Sequence, residues 1–411
     1  MAKIALDLAP ATTLPRRFLL TAPCWGVVAG VMLLVDGDIA LRSRWAPATL
    51  ALVHAFTLGL LGNAMFGSLL QFLPAALGAR LWGGRRAGIA LHALLNAGAL
   101  LLVLGLHAMQ PWLLLPAGCL LALAFALLAA QVLPGVLRAS GPKLVRAGIA
   151  QAVCAALLAA GLGVAMVHGL QGRGLPAWPW INVHAGIGLL GWAAVLVASV
   201  GRIVMPMFQG TRTVAARAQA AWLALVALVL AGAVVAGDGV REAVLRFGGA
   251  ACLGAAALAG LWLQARQQHA RNPWLLRCWR FGLAALLAAA SALAFDAPAL
   301  LTGALALGIG FPALIVGMQL EIVAFLGWID LCRGIPRGTR LPAVQRLLPE
   351  EAKQRVVGLQ VLAAIALLAA CAWPPLARVA GALLCVAYGT LAHVLHGVGR
   401  RRAAFLRELT A

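Results

Sequence analysis

From residue 18 to residue 398 the chain is a succession of long apolar runs, separated by short breaks that carry basic residues, glycine or proline. The runs fall near 18–35, 46–78, 87–108, 111–136, 145–168, 178–208, 218–236, 244–264, 279–296, 299–330, 357–375 and 377–398. A helix rises about 1.5 Å per residue, so about 20 apolar residues cross the roughly 30 Å of a bilayer's hydrocarbon. Lipid offers an unpaired backbone amide no partner, which leaves the α-helix as the conformation for each run. The fold expected is all-α, a polytopic membrane helical bundle of about twelve transmembrane helices. With 63% of 411 residues hydrophobic and 10% charged, a soluble domain would have too little charge to cover its surface.

A formal net charge of +21 invites a nucleic-acid partner, but the placement of the charges excludes one. Of the 32 Lys and Arg, 25 fall at the N-terminus, in the even-numbered loops and at the C-terminus, from Lys3, Arg16 and Arg17 to Arg400, Arg401, Arg402 and Arg407. Six (Arg42, Arg44, Arg173, Arg241, Arg246 and Arg378) fall in the odd loops, and Arg202 lies inside a run. That asymmetry places both termini in the cytoplasm of a multi-pass protein of the cell inner membrane. No A-x-A cleavage site follows the first apolar core, so the first run reads as a retained helix. The eight cysteines form no C-x-x-C, which argues for packing residues rather than a disulfide frame or a zinc module. Tryptophans near run ends (Trp45, Trp112, Trp178, Trp180 and Trp373 outside, Trp82, Trp274 and Trp279 inside) fit an interfacial belt.

The whole chain, 1–411, reads as one integral membrane domain with short connections, the longest polar one being 331–356. Within that loop, Leu347-Leu348-Pro349-Glu350-Glu351 suggests a short surface helix. Runs 2, 6 and 10 are the long ones and share a plan. Run 2 carries His54, Gly59-Leu-Leu-Gly62 and Gln71-Phe-Leu-Pro74; run 6 carries His184, Gly188-Leu-Leu-Gly191, Arg202 and Pro206-Met-Phe-Gln209. Run 10 carries Gly308, Gly310 and Gly317-Met-Gln319-Leu-Glu321, without a histidine. Pseudo-repeats over roughly 1–85, 86–212 and 213–331, with 357–398 as closing helices, describe this order.

An ionisable group inside a membrane is costly unless it is paired or used. His54 and His184 lie near the outer face, at matching places and beside glycines; His107 and His168 end their runs at the same level. His92, His393 and His396 belong to the inner half, and His269 to an inner loop. Imidazole ligates haem iron and copper; an interfacial or water-facing role is the plainer one for His107 and His168, whereas His54 and His184 are open both to ligation and to a carbonyl-bonded place in the core. His393 and His396, near Arg400, also suit a lipid headgroup. Gln71, Arg202 and Glu321 fall at similar inner depths, which suggests an Arg202–Glu321 ion pair completed by Gln71, serving as interhelical glue, a proton step or a propionate site.

Together, His54-x4-Gly59-x2-Gly62 with Gln71-x2-Pro74, His184 with Gly188-Leu-Leu-Gly191-Trp192 and Pro206-Met-Phe-Gln209, and Gly317-Met318 with Ile322-Val323 and Phe325-Leu-x-Trp328 resemble subunit I of haem-copper oxidases and nitric oxide reductases. The similarity is nearer to its shorter relatives, the NnrS-type haem- and copper-containing membrane proteins linked to nitric oxide. The resemblance implies haem b on His54, with His184 or Met318 as second ligand, and His184 where the oxidases place a copper-ligand histidine. It also implies a role in nitric oxide or respiratory stress handling, with respiratory-chain or nitric-oxide-reducing partners. The departures are specific: run 10 has no histidine, run 7 has no copper-binding pair, and the only tyrosine, Tyr388, stands in run 12. A complete oxygen-reducing centre is therefore not expected. Two other classes remain open from the residues, a permease with Gln71, Arg202 and Glu321 along a proton or anion path, and an assembly partner of a respiratory enzyme. The topology has its own test: a C-terminal reporter that is active only in the cytoplasm is the outcome expected, and one active only outside inverts every assignment of side.

Overall fold

Proline opens and glycine closes several of the long helices. The computed structural model describes residues 11–172, 180–267, 271–335 and 341–410, so Lys3, Arg173, Trp178, His269, Arg337 and Arg340 lie outside the described residues. Twelve helices among them are long and apolar enough to span a bilayer. They are α1 Thr13–Leu41, α2 Pro47–Leu77, α3 Gly84–His107, α4 Pro111–Arg138, α5 Lys143–Leu170, α6 Ile181–Gln209, α7 Ala216–Val235, α8 Asp238–Ala265, α9 Pro273–Ala294, α10 Ala299–Arg333, α11 Glu350–Ala372 and α12 Pro374–Glu408. Pro47, Pro111 and Pro273 stand where a helix has no amide hydrogen bond to lose. At the other end, α2 and α6 stop in the same way. Gly78 and Gly210 take left-handed conformations (φ 65° and 73°), and their amides return to the carbonyls of Pro74 and Pro206. A side chain there would be strained.

Three helices form the centre. In α2, 72% of the most apolar stretch is buried, and in α6 and α10 61%, against 28% in α5, α7 and α8. All three carry a π-helical stretch at a matching depth: Ala55–Gly62, Ile187–Ala194 and Ala304–Gly310. An i→i+5 turn inserts a residue and rotates the side chains beyond it, a feature frequent at functional sites. Two more π stretches lie elsewhere, Met205–Gln209 at the end of α6 and Val244–Gly248 in α8. Where α2 has His54 just before its π stretch, α10 has Gly303, beside which a Cβ would touch nothing within 4 Å.

The first and last helices close on each other through small residues. A Cβ on Gly381 of α12 would lie 2.7 Å from the carbonyl oxygen of Gly30 in α1, and one on Gly26 would meet the ring of Tyr388 at 2.3 Å. Close backbone approach of this kind is how helices associate in lipid. The ends of α1, α10 and α12 meet at Asp330, which accepts from Thr12 Oγ1, Arg16 Nη2 (2.8 Å) and Arg402 Nη1 (2.6 Å).

The 331–356 segment differs from expectation. Its helical turn is Val344–Leu347, with Leu347 and Leu348 fully buried, and α11 already starts at Glu350. Lys353 consequently belongs to the bundle. Its Nζ, in a side chain 4% exposed, lies 2.8 Å from Glu321 Oε1 and 3.0 Å from Glu350 Oε1. Trp279 also departs from the interfacial belt, since it is buried and its Nε1 donates to the Leu314 carbonyl; Trp82, Trp112 and Trp373 are exposed as expected. Replacing one member of a buried ion pair strands the other, at a cost of about 3–5 kcal/mol. Lys353→Met should therefore lower detergent-phase stability by about that much, and adding Glu321→Gln should restore most of it. If the double variant is as unstable as the single one, Lys353 is not the partner that matters.

Candidate functional site

His54 leaves α2 at the last α-helical residue before the π stretch, and His184 leaves α6 three residues before its own. The helices turn the two rings toward each other, with centroids 6.4 Å apart and planes at 30°. His54 Nδ1 is 2.7 Å from the Leu50 carbonyl one turn back, and His184 Nδ1 is 3.0 Å from the Ala159 carbonyl of α5. A carbonyl only accepts, so each Nδ1 carries the proton and each Nε2 keeps its lone pair. Fixing one ring nitrogen on a carbonyl is the usual way of orienting the other toward a ligand. Space adjoins the pair, because Gly188, one turn below His184, has nothing within 4 Å of a Cβ position. Gly163 of α5 faces His184, and a Cβ there would stand 3.3 Å from its Cε1. Among the described residues, no group of three or more His, Cys, Asp and Glu gathers as a metal cluster.

The rim beside the pair, at the end of the bundle away from both termini, is polar. Arg44 Nη2 donates to Asn182 Oδ1, and Asn182 Nδ2 donates to Glu242 Oε2 (2.8 Å), joining the α1–α2 connection to α6 and α8. Partial burial draws the Arg44 guanidinium below its ordinary pKa, and the Glu242 carboxylate works against that shift. The ion remains protonated at any physiological pH.

Gln71, Arg202 and Met318 do meet, around a different space. A cavity of about 520 Å³ lies between α2, α6, α9 and α10, lined by these three with Met65, Ile322 and Phe325 among mainly apolar side chains. Gln71 is 7% exposed, and neither of its amide atoms has a hydrogen-bond partner. Met65 stands 11 residues beyond His54 on α2, about 15 Å along the axis. Met318 therefore belongs to the inner cavity, and the residue facing His54 is His184. The expected Arg202–Glu321 pair does not form. Arg202 Nη1 donates to the Val214 carbonyl (2.7 Å) and Gln219 Oε1 (2.8 Å), and Glu321 bonds Lys353. Equal depth along two helices fixes a level in the membrane, not the direction in which a side chain points.

Three of the other histidines have local partners. His92 Nε2 lies 3.0 Å from Thr21 Oγ1, with its ring edge-on to Phe18. His107 Nε2 is 2.9 Å from Asp36 Oδ1 near adjoining ends of α3 and α1, and His396 Nδ1 bonds the Ala392 carbonyl. A mid-membrane network escaped the sequence reading. Asn63 and Asn96 exchange two amide hydrogen bonds of 3.0 Å between α2 and α3, and Trp25 Nε1 of α1 donates to Asn96 Oδ1 at 2.7 Å. Single asparagines inside long apolar runs were the available signal.

No known family model matches the chain, and no curated protein matches it.

A double-mutant cycle with Asn63→Leu and Asn96→Leu, measured by SDS titration of micellar protein, should give a coupling of about 1 kcal/mol. Additive losses would mean that the two amides stabilise the helices independently.

Proposed function

We propose that the protein is a haem-binding multi-pass protein of the cell inner membrane, with both termini cytoplasmic, and that His54 and His184 are the residues that would hold the haem. The observation that carries this reading is the pair of facing imidazoles. Their ring centroids are 6.4 Å apart, close enough for both imidazoles to reach one group placed between them. Both rings have the tautomer a ligand needs, and the bare backbone at Gly188 leaves room beside them for a flat group. Arg44 is the cation at the rim, suited to a propionate.

What the bound group would supply is one-electron chemistry. The chain's own part is narrower. Leu50 and Ala159 fix the ring orientations through their carbonyls, the apolar walls of α2, α5 and α6 limit water, and Arg44 offers a compensating charge. Tyr388 is buried against Gly26 on the α1–α12 seam, away from the histidine pair. A role in nitric oxide or respiratory stress handling, beside respiratory-chain or nitric-oxide-reducing proteins, rests on the resemblance to the NnrS-type proteins.

A second reading uses the same donors. Two imidazoles without a third ligand also suit two-coordinate copper(I). One experiment separates the two. Protein expressed with haem supplementation should show a Soret band of low-spin, six-coordinate form; His184→Ala and His54→Ala should each convert it to a five-coordinate spectrum or abolish it. Stoichiometric copper without a Soret band selects the second reading. A spectrum that neither substitution changes removes the pair from both.

A further inference from the structure

At the end of the bundle that carries both termini, a cleft of about 340 Å³ opens between α11 and α12. Arg355, Thr390, His393, Gly397, Arg400 and Arg401 line it, and no carboxylate does. Three guanidiniums around one hollow repel one another unless an anion lies between them. Nearby Arg402 shows the contrast, for its charge is met by Asp330 at 2.6 Å.

Arg401 is held rather than free. Its Nε donates to the Leu347 carbonyl at 2.6 Å, an acceptor that the end of the short helix leaves open. Gly397, one turn back, makes room for the folded side chain: a Cβ there would lie 3.1 Å from Arg401 Nη1 and 3.2 Å from Nη2. That Nη2 is buried and has no hydrogen-bond partner. Leaving a charged donor buried and unpaired costs more than the bond it lacks would return. The missing acceptor must be compact, anionic and able to face several arginines together, and phosphate oxygens meet each condition.

We propose that this cleft binds the phosphodiester of an anionic phospholipid from the leaflet next to the termini. The cleft spans the end of the apolar run of α12 and the first turns of α11, where hydrocarbon gives way to headgroups, and Ala352 and Val394 give it an apolar floor. Basic hollows between helices on the cytoplasmic side are suited to such headgroups. Arg355 and Arg400, both exposed, close around the phosphate from α11 and α12, and Arg401 meets it from below. His393 adds a ring nitrogen at the rim. The site is independent of the histidine pair near the outer face.

Detergent-purified protein titrated with dioleoylphosphatidylglycerol, dioleoylphosphatidylcholine or inorganic phosphate, with adducts counted by native mass spectrometry, provides the test. One phosphatidylglycerol should bind at least tenfold more tightly than phosphatidylcholine, and inorganic phosphate should not displace it. Arg400→Gln and Arg355→Gln should each weaken it about fivefold, the value of one basic residue at a membrane surface. Arg86→Gln, a change of the same charge at the start of α3, should leave it unchanged. Both cleft substitutions are at exposed positions, so a melting curve matching that of the parent verifies the fold. Equal binding of the two lipids, an equal loss in Arg86→Gln, or displacement of the lipid by millimolar phosphate each overturns the proposal.

Discussion

Lipid supplies no hydrogen-bond partner, and the positions of this chain's polar side chains follow from that one fact. Asn63 finds Asn96, Glu321 finds Lys353, Asp330 gathers Thr12, Arg16 and Arg402, and each Nδ1 of the facing histidines finds a carbonyl. Every one of these contacts except His54–Leu50 joins two or more helices. Apolar packing between helices gains little in a bilayer, because the tails it replaces are equally apolar. Register among the twelve is therefore set by these polar bonds together with small-residue seams such as Gly30 against Gly381.

The central helices depart from ideal α-helical geometry over a π stretch each. A π stretch leaves the i→i−4 ladder out of step and gives local side chains a new direction. In α2 and α6 the departure follows a histidine, and in α10 it follows Gly303. The same backbone device also occurs in α8 (Val244–Gly248) and at the far end of α6 (Met205–Gln209), where no histidine precedes it.

Span number and approximate span ends were legible because hydropathy and basic breaks are one-dimensional signals. Partners were less so. Arg202 and Glu321 share a depth, but α6 turns Arg202 toward Gln219 on α7 while α10 turns Glu321 toward α11. Lys353 looked like loop charge because it sits among Arg346, Glu350, Glu351 and Arg355; a lysine in the first turn of a membrane helix has the same local sequence as one in solvent. Met318 was near enough in the pseudo-repeat to suggest a ligand, yet its turn of α10 faces the inner cavity. His54 and His184 were legible as a pair through their matching positions, whereas the carbonyl of Ala159 that fixes one of them comes from a helix with no motif of its own.

The separation between the histidines and the inner cavity bears on what the bundle can do. A conduction path from His54 to Gln71 would need a polar group at nearly every turn of α2. Thr57 instead returns its hydroxyl to the Val53 carbonyl, and Asn63 is committed to Asn96 and the Gly59 carbonyl. Leu60, Leu61 and Phe66 are buried in between, and Phe66 packs edge-on against Trp192 of α6 and Phe125 of α4. A proton or anion arriving at either end would meet an apolar, aromatic layer. The permease reading needs that layer to open, whereas a site that holds its group near the outer face is better served by a layer that stays shut, since a dry floor keeps water and protons of the inner side away from the imidazoles.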